Sequence, residues 1–101
     1  MAKKYKVHIT ASAQTDIRQI FDYIAQENPI NATRFIDEIE TRVSLLDQFP
    51  QRQPAIPENS FFGTDFRHLI VEKYRIIFRI AGNDVFILRI IHGARIIERL
   101  W

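Results

Sequence analysis

The sequence contains no cysteine, which excludes disulfides and thiolate metal sites and fits a reducing compartment. It also lacks any apolar run near the roughly 20 residues needed to cross a bilayer. The start, MAKKYKVHIT, is basic, but no apolar signal-peptide segment follows it. A cytoplasmic protein with no membrane partner is therefore expected. Histidine is sparse: the three residues, His8, His68 and His92, are scattered and lie beside no carboxylate cluster. No metal site and no cofactor is expected from such a pattern. Repeats, low-complexity segments and a composition break are all missing, so residues 1–101 are read as a single domain.

Lysine is almost absent after Lys6, where only Lys73 remains. The second half is nonetheless basic. Residues 1–50 carry six Lys/Arg against seven Asp/Glu, a balance of −1, and residues 51–101 carry eight against five, a balance of +3. Seven of those eight cations are arginine, whose planar fork matches phosphate or carboxylate with two bonds at once. On charge alone the competing reading is a solvated strand surface.

Tyr5–Thr10 alternates apolar and polar residues and reads as a half-buried strand. Thr10 or Ser12 can cap the following helix, whose stripe is Ala13, Ile17, Ile20, Phe21 and Ile24. Asn28–Pro29 stops that helix and starts a second one, with Asn28 as cap and Pro29 in the first turn. Its stripe is Ala32, Phe35, Ile36, Ile39, Val43 and Leu46, and Pro50 is read as its end. The short connection makes the pair an antiparallel αα-hairpin. Gln51–Gly63, with Pro54 and Pro57, is aperiodic and reads as a long surface loop, either functional or a simple crossover.

From Phe66 the chain turns strand-like, with FRHLIV, YRIIFRI and VFILRIIH separated by turn signals at Glu72–Lys73 and Ala81–Asp84. The fold class is thus α+β in the order β-α-α-β-β-β, an antiparallel sheet with a helical hairpin on one face. The first strand is expected at an edge or beside the last strand. The final eight residues, ARIIERLW, read as a short helix or an extended tail.

Continuing both turns as regular hairpins gives a register and two faces. One carries Arg67, Leu69, Val71, Tyr74, Ile76, Phe78, Ile80, Val85, Ile87, Arg89 and Ile91 and should cover the helices. The other carries Phe66, His68, Ile70, Arg75, Ile77, Arg79, Phe86, Leu88, Ile90 and His92. This second face mixes apolar residues with Arg and His, the pattern of a binding surface. The competing reading is that the tail, with Ile96, Ile97, Leu100 and Trp101, folds back over it. Arg89 is expected to form a structural ion pair on the packed face. Arg67 is expected either to take part in function or to pair with Asp16, Asp22 or Asp65.

AQTDIRQIFDYIAQENPINATRFIDEI resembles the helical hairpin of the RelE/ParE toxins of type II toxin–antitoxin systems. RHLIVEKYRIIFRI and DVFILRIIHGAR resemble that family's strand region. The resemblance implies a toxin of the plasmid-stabilisation type, neutralised by a cognate antitoxin of the ParD or RelB kind. An acidic, amphipathic antitoxin segment would suit the second face, with Phe66, Arg75, Arg79, Phe86, Leu88, Ile90, His92 and Arg95 as contact residues for antitoxin or target.

The family contains two activities, and its fold does not choose between them. RelE-like members cut mRNA on the ribosome, which needs a base, an acid and cations around the phosphate. In that case Arg75, His92 and Arg67 are the catalytic candidates by resemblance. ParE-like members trap DNA gyrase on cleaved DNA and need no chemistry of their own. Two departures favour the ParE-like reading: no lysine pair accompanies the second sheet strand, and His92-Gly93-Ala94-Arg95 matches a segment common in ParE-like chains. A further alternative is a non-toxic binding domain of the same fold. Whether the chain is an enzyme therefore depends on which activity it has.

Overall fold

The computed structural model describes residues 4–93. The expected tail, with Arg95, Ile96, Ile97, Leu100 and Trp101, lies outside the described residues. Strand β1 (Lys6–Ile9) leads into helix α1 (Ala11–Ala25), and helix α2 (Pro29–Ser44) follows after a tight link. Thr10, in extended conformation, caps α1 by accepting the Ala13 N–H, and Asn28 caps α2 by accepting the Asn31 N–H. Each cap satisfies one of the donors that a helix start leaves without an intrahelical partner. Helix α2 ends at Ser44, earlier than Pro50, and passes into a 3₁₀ turn at Leu45–Asp47.

The loop that follows is not featureless. It holds a 3₁₀ turn at Pro50–Arg52 and a one-turn helix α3 at Asn59–Phe62. Strands β2 (Arg67–Val71), β3 (Tyr74–Ala81) and β4 (Asp84–His92) complete the fold. The sheet order is β1-β4-β3-β2, so β1 is both at an edge and beside the last strand, to which it runs parallel. Gly82 takes φ +61° in the second turn, a conformation glycine adopts without Cβ strain.

The helices cover one face of the sheet. Ala13 and Ile20 of α1 and Phe35, Ile39 and Val43 of α2 meet Leu69, Val71, Ile76, Phe78, Val85, Ile87 and Ile90. Phe21, expected in the α1 stripe, is exposed, and Asp16 is buried there instead. On the opposite face a smaller core forms. Ile56 from the loop, with half-buried Phe62 and Phe66, packs on Ile77, Leu88 and Ile91. The loop therefore closes over the centre of that face.

The β2–β3 register is the expected one, with Val71 opposite Tyr74 and Arg67 opposite Phe78. The β3–β4 register begins as expected, with Ile80 opposite Val85 and Phe78 opposite Ile87, and then shifts. Ile77 pairs with Arg89, so Leu88 is an extra residue, a β-bulge. Arg75 consequently faces Ile91 and not Ile90. One inserted residue sends each later side chain to the other face. Ile90 enters the helix-side core, and Ile91 joins the core under the loop. His92 stands opposite Tyr74 and meets its ring edge-on, with centroids 5.5 Å apart. Ile90, Ile91 and His92 thus occupy the reverse of their expected faces.

The N-cap of α1 and a side chain of its second turn hold the bulge. Thr10 donates its N–H to Ile87 O (3.1 Å) and its hydroxyl to Ile87 O (2.7 Å) and Leu88 O (3.3 Å). Asp16 accepts the Ile90 N–H (2.8 Å) and two bonds from Arg89 (2.7 and 3.0 Å). The expected structural ion pair of Arg89 is this one, and it holds Arg89 strongly protonated.

Candidate functional site

Polar groups on the loop-covered face gather at its two ends. At one end is Arg75, which is 7% exposed. Its Nη1 and Nη2 each donate to Glu58 at 2.9 Å, a fork-to-fork pair, and its Nε donates to His68 Nδ1 at 3.0 Å. Strands β2 and β3 place His68 and Arg75 on one face, and the loop delivers Glu58 to them.

The electrostatics follow from this geometry. The Arg75 hydrogen bond holds the Glu58 carboxyl below its ordinary range. Burial, reinforced by the Arg75 charge, pushes the His68 imidazolium to a lower pKa than usual. A neutral His68 that accepts at Nδ1 carries its proton on Nε2.

At the other end the strands leave an exposed aromatic and cationic group. The His8 ring stacks on Phe86 at 4.9 Å, and the Arg79 guanidinium lies 4.5 Å from the Phe86 centroid. His8 Nε2 also contacts Asp84 Oδ1 at 2.8 Å. Phe66 and Leu88 lie between the two ends, half-buried under the loop. Among the described residues no group of three or more His, Asp or Glu is placed to hold a metal ion. No helix among them is long and apolar enough to cross a membrane.

The sequence matches the family described as ParE toxin of type II toxin-antitoxin system, parDE, over residues 7–97. The chain belongs to the ParE toxin family. It is 32% identical over 88 residues to Toxin RelE2 of Caulobacter vibrioides, covering 86% of this chain and 93% of that protein. Two solved structures share the fold at 23% identity. One, the chromosomal ParDE toxin–antitoxin system from P. aeruginosa, has a TM-score of 0.71 and covers 90% of this chain and 98% of its own. The other, the toxin–antitoxin complex RelBE2 from Mycobacterium tuberculosis, has a TM-score of 0.60 and covers 91% and 94%. The chain is thus a type II toxin of the ParE/RelE kind.

In this ParE-family chain the three residues suggested by nuclease relatives do not converge. Arg67 donates from Nη1 to Gln51 O (3.1 Å) and Gln53 O (2.6 Å), so it ties the loop to β2 and does not pair with Asp16, Asp22 or Asp65. Arg75 is enclosed by Glu58 and His68. His92 lies across the sheet, where it lines a cleft with Tyr23, Asn31, Arg34, Phe35 and Tyr74 between the helical hairpin and the strand ends. Of the expected contact residues, Phe66, Arg75, Arg79, Phe86 and Leu88 do share a face, whereas Ile90 and His92 leave it.

Sequence reasoning missed Glu58, which stands in an aperiodic loop with nothing to indicate which strand residue it meets. It also missed Asp16 as a polar residue within an apolar stripe. That signal was visible, since an acid at a core-facing helical position requires a partner.

Proposed function

We propose that this toxin acts by binding, poisoning DNA gyrase without chemistry of its own, and that a cognate antitoxin of the ParD kind neutralises it. The observation that carries the reading is the scatter of the nuclease candidates. A phosphate-cleaving site needs its acid and its cations around one phosphate. Here Arg67 is bound to loop carbonyls, Arg75 is enclosed by Glu58, and His92 lies on the helix side of the sheet. The match to the ParE model over nearly the whole chain supports the same reading.

The contact surface for target or antitoxin is the face bearing Arg79, Phe86, Leu88 and Phe66, with Arg95 beyond the described residues. Half-buried aromatic area next to an exposed arginine suits an acidic, amphipathic segment, which gains apolar burial at roughly 25 cal/mol per Å² before ordering costs.

The test is purified toxin with DNA gyrase, negatively supercoiled plasmid and ATP, scored for linear cleaved product. Cleavage should accumulate and disappear when antitoxin is added. No cleavage at micromolar toxin would overturn the gyrase reading. The second reading, ribosome-dependent mRNA cleavage, is favoured by the RelE2 relative in name. Cleaved mRNA that depends on Arg75 and His92 would establish it.

A further inference from the structure

Phe49 stands in the left-handed region, at φ 50° and ψ 48°. There the Cβ of an L-residue crowds its own backbone, and a residue before proline avoids helical dihedrals as well. Its neighbours impose the conformation. Leu46 is 3% exposed and Pro50 is fully buried, so both are turned into the fold. The two 3₁₀ turns close through Gln48 N–H to Leu45 O (3.3 Å) and Arg52 N–H to Phe49 O (3.0 Å). The intervening chain is pushed outward, leaving Phe49 43% and Leu45 62% exposed. Neither belongs to an apolar core among the described residues. Glycine at 49 would make the same turn without strain, so the fold does not call for a ring there. Strain kept at a side chain that no core uses points to function.

The ring also has a cation on it. The Arg52 guanidinium carbon lies 4.1 Å from the Phe49 centroid, a cation–π contact that orders both side chains in the free chain. Charge around this corner is mainly of one sign. Within residues 41–53 the cations are Arg42 and Arg52 and the single acid is Asp47, whose carboxylate lies 3.9 Å from Lys4 Nζ. Neither arginine has an ion pair among the described residues. Exposed Leu and Phe side chains with cations at the rim have the anatomy of a protein interface, in which aromatic and arginine side chains carry most of the affinity. Binding to a nucleic-acid backbone calls for cations without the apolar centre.

We propose that this corner, centred on Leu45, Phe49 and Arg52, docks the toxin on its protein target by receiving an acidic segment that carries an apolar side chain. The proposal rests on the reading of the chain as a toxin that acts by binding, and not on gyrase as the target. The corner shares no residue with the loop-covered face, so substitution can separate the two.

The test uses the full-length chain with Phe49→Gly and, separately, Arg52→Glu. Phe49→Gly removes the ring and the strain together, so it should melt no lower than wild type, and a loss of function in it is not a loss of fold. Growth arrest on induction is scored at matched soluble toxin levels. Affinities for the cognate antitoxin and for a duplex DNA oligonucleotide are titrated by calorimetry. Each variant should need roughly tenfold or more toxin for the same arrest and bind antitoxin within about twofold of wild type. If Phe49→Gly does not fold, Arg52→Glu, at an exposed position, is read alone. Wild-type arrest without cleaved plasmid in the gyrase assay refutes gyrase as the target and leaves this proposal standing on the variants. A wild-type chain that does not arrest growth removes the toxin reading and this proposal with it. Where wild type arrests growth, equal arrest by the folded variants overturns the proposal. A matching loss of antitoxin affinity overturns it by assigning the corner to the antitoxin, and a matching loss of DNA affinity by assigning it to nucleic acid.

Discussion

Replacing Asp16 by alanine should be among the most damaging single changes to this fold. The Asp16 side chain is 8% exposed and accepts three hydrogen bonds, two from Arg89 and one from the Ile90 N–H. Asp16→Ala leaves the Ile90 N–H buried without that acceptor, at a cost of about 1–3 kcal/mol. It also strips the counter-charge from Arg89. Breaking a buried pair in this way costs about 3–5 kcal/mol. The Arg89 side chain is 26% exposed, so water recovers part of that, and about 3 kcal/mol is expected in all. For a domain of this size the melting temperature should fall by roughly 12–24 °C. Asp16→Asn keeps an acceptor for Ile90 and should cost clearly less. The double variant Asp16→Leu/Arg89→Met should recover part of the loss, because no unpaired charge remains. Urea denaturation followed by circular dichroism measures all three, with the m-value checking two-state behaviour. A loss under about 1 kcal/mol for Asp16→Ala at unchanged m would refute the view that the carboxylate holds the bulge.

Stability should fall with acid in two stages. Burial and Arg75 lower the His68 pKa, so its neutral form contributes stability above its ordinary 6.5 that is lost as pH falls through the lowered value. The lowered Glu58 carboxyl acts in the same direction, its contribution being lost as pH falls from about 4.5 through its own value in the fold. His68→Gln should flatten the upper stage of a urea-midpoint profile against pH, and an unchanged profile would count against the assignment. Glu72 sits at φ 52° in the β2–β3 turn, and its exposed contact with Arg34 at 3.6 Å is worth little. Glu72→Gly relieves the left-handed strain and should raise stability by about 0.5–1 kcal/mol in the same assay, whereas a loss would show that the turn depends on the Arg34 contact.

Local chemistry made much of the fold legible. The caps at Thr10 and Asn28, the α2 stripe and the two hairpin turns are each specified within a few residues, and each stands where it was read. The bulge was not legible, because its causes are Thr10 and Asp16, more than seventy positions before Leu88 in the chain. A strand continued by simple alternation therefore placed Ile90 and His92 on the wrong side. The parallel pairing of β1 with β4 had no turn to announce it, so only its neighbourhood was expected. The site was legible in its cations and not in their partners. Arg75 and Arg79 stood out as strand arginines on one face, but a loop of irregular sequence gives no means of knowing that Glu58 would meet one and leave the other exposed.

The placement of β1 has a consequence for how the chain reaches this fold. Strands β2, β3 and β4 are joined by tight turns, so their pairing is local and fast to form. Strand β1 is different, since Lys6 pairs with Asp84 and Ile9 with Ile87. Its partner emerges only after both helices, the loop and two further strands have been synthesised. Until the strands have been made, the buried faces of Phe35, Ile39 and Val43 have no complete sheet to cover. During translation at about 5–20 residues per second, those apolar faces stay exposed for several seconds. The helical hairpin, made before β2, β3 and β4, is thus exposed to wrong association, and the core it shares with the sheet is complete only with the strand made last among those described.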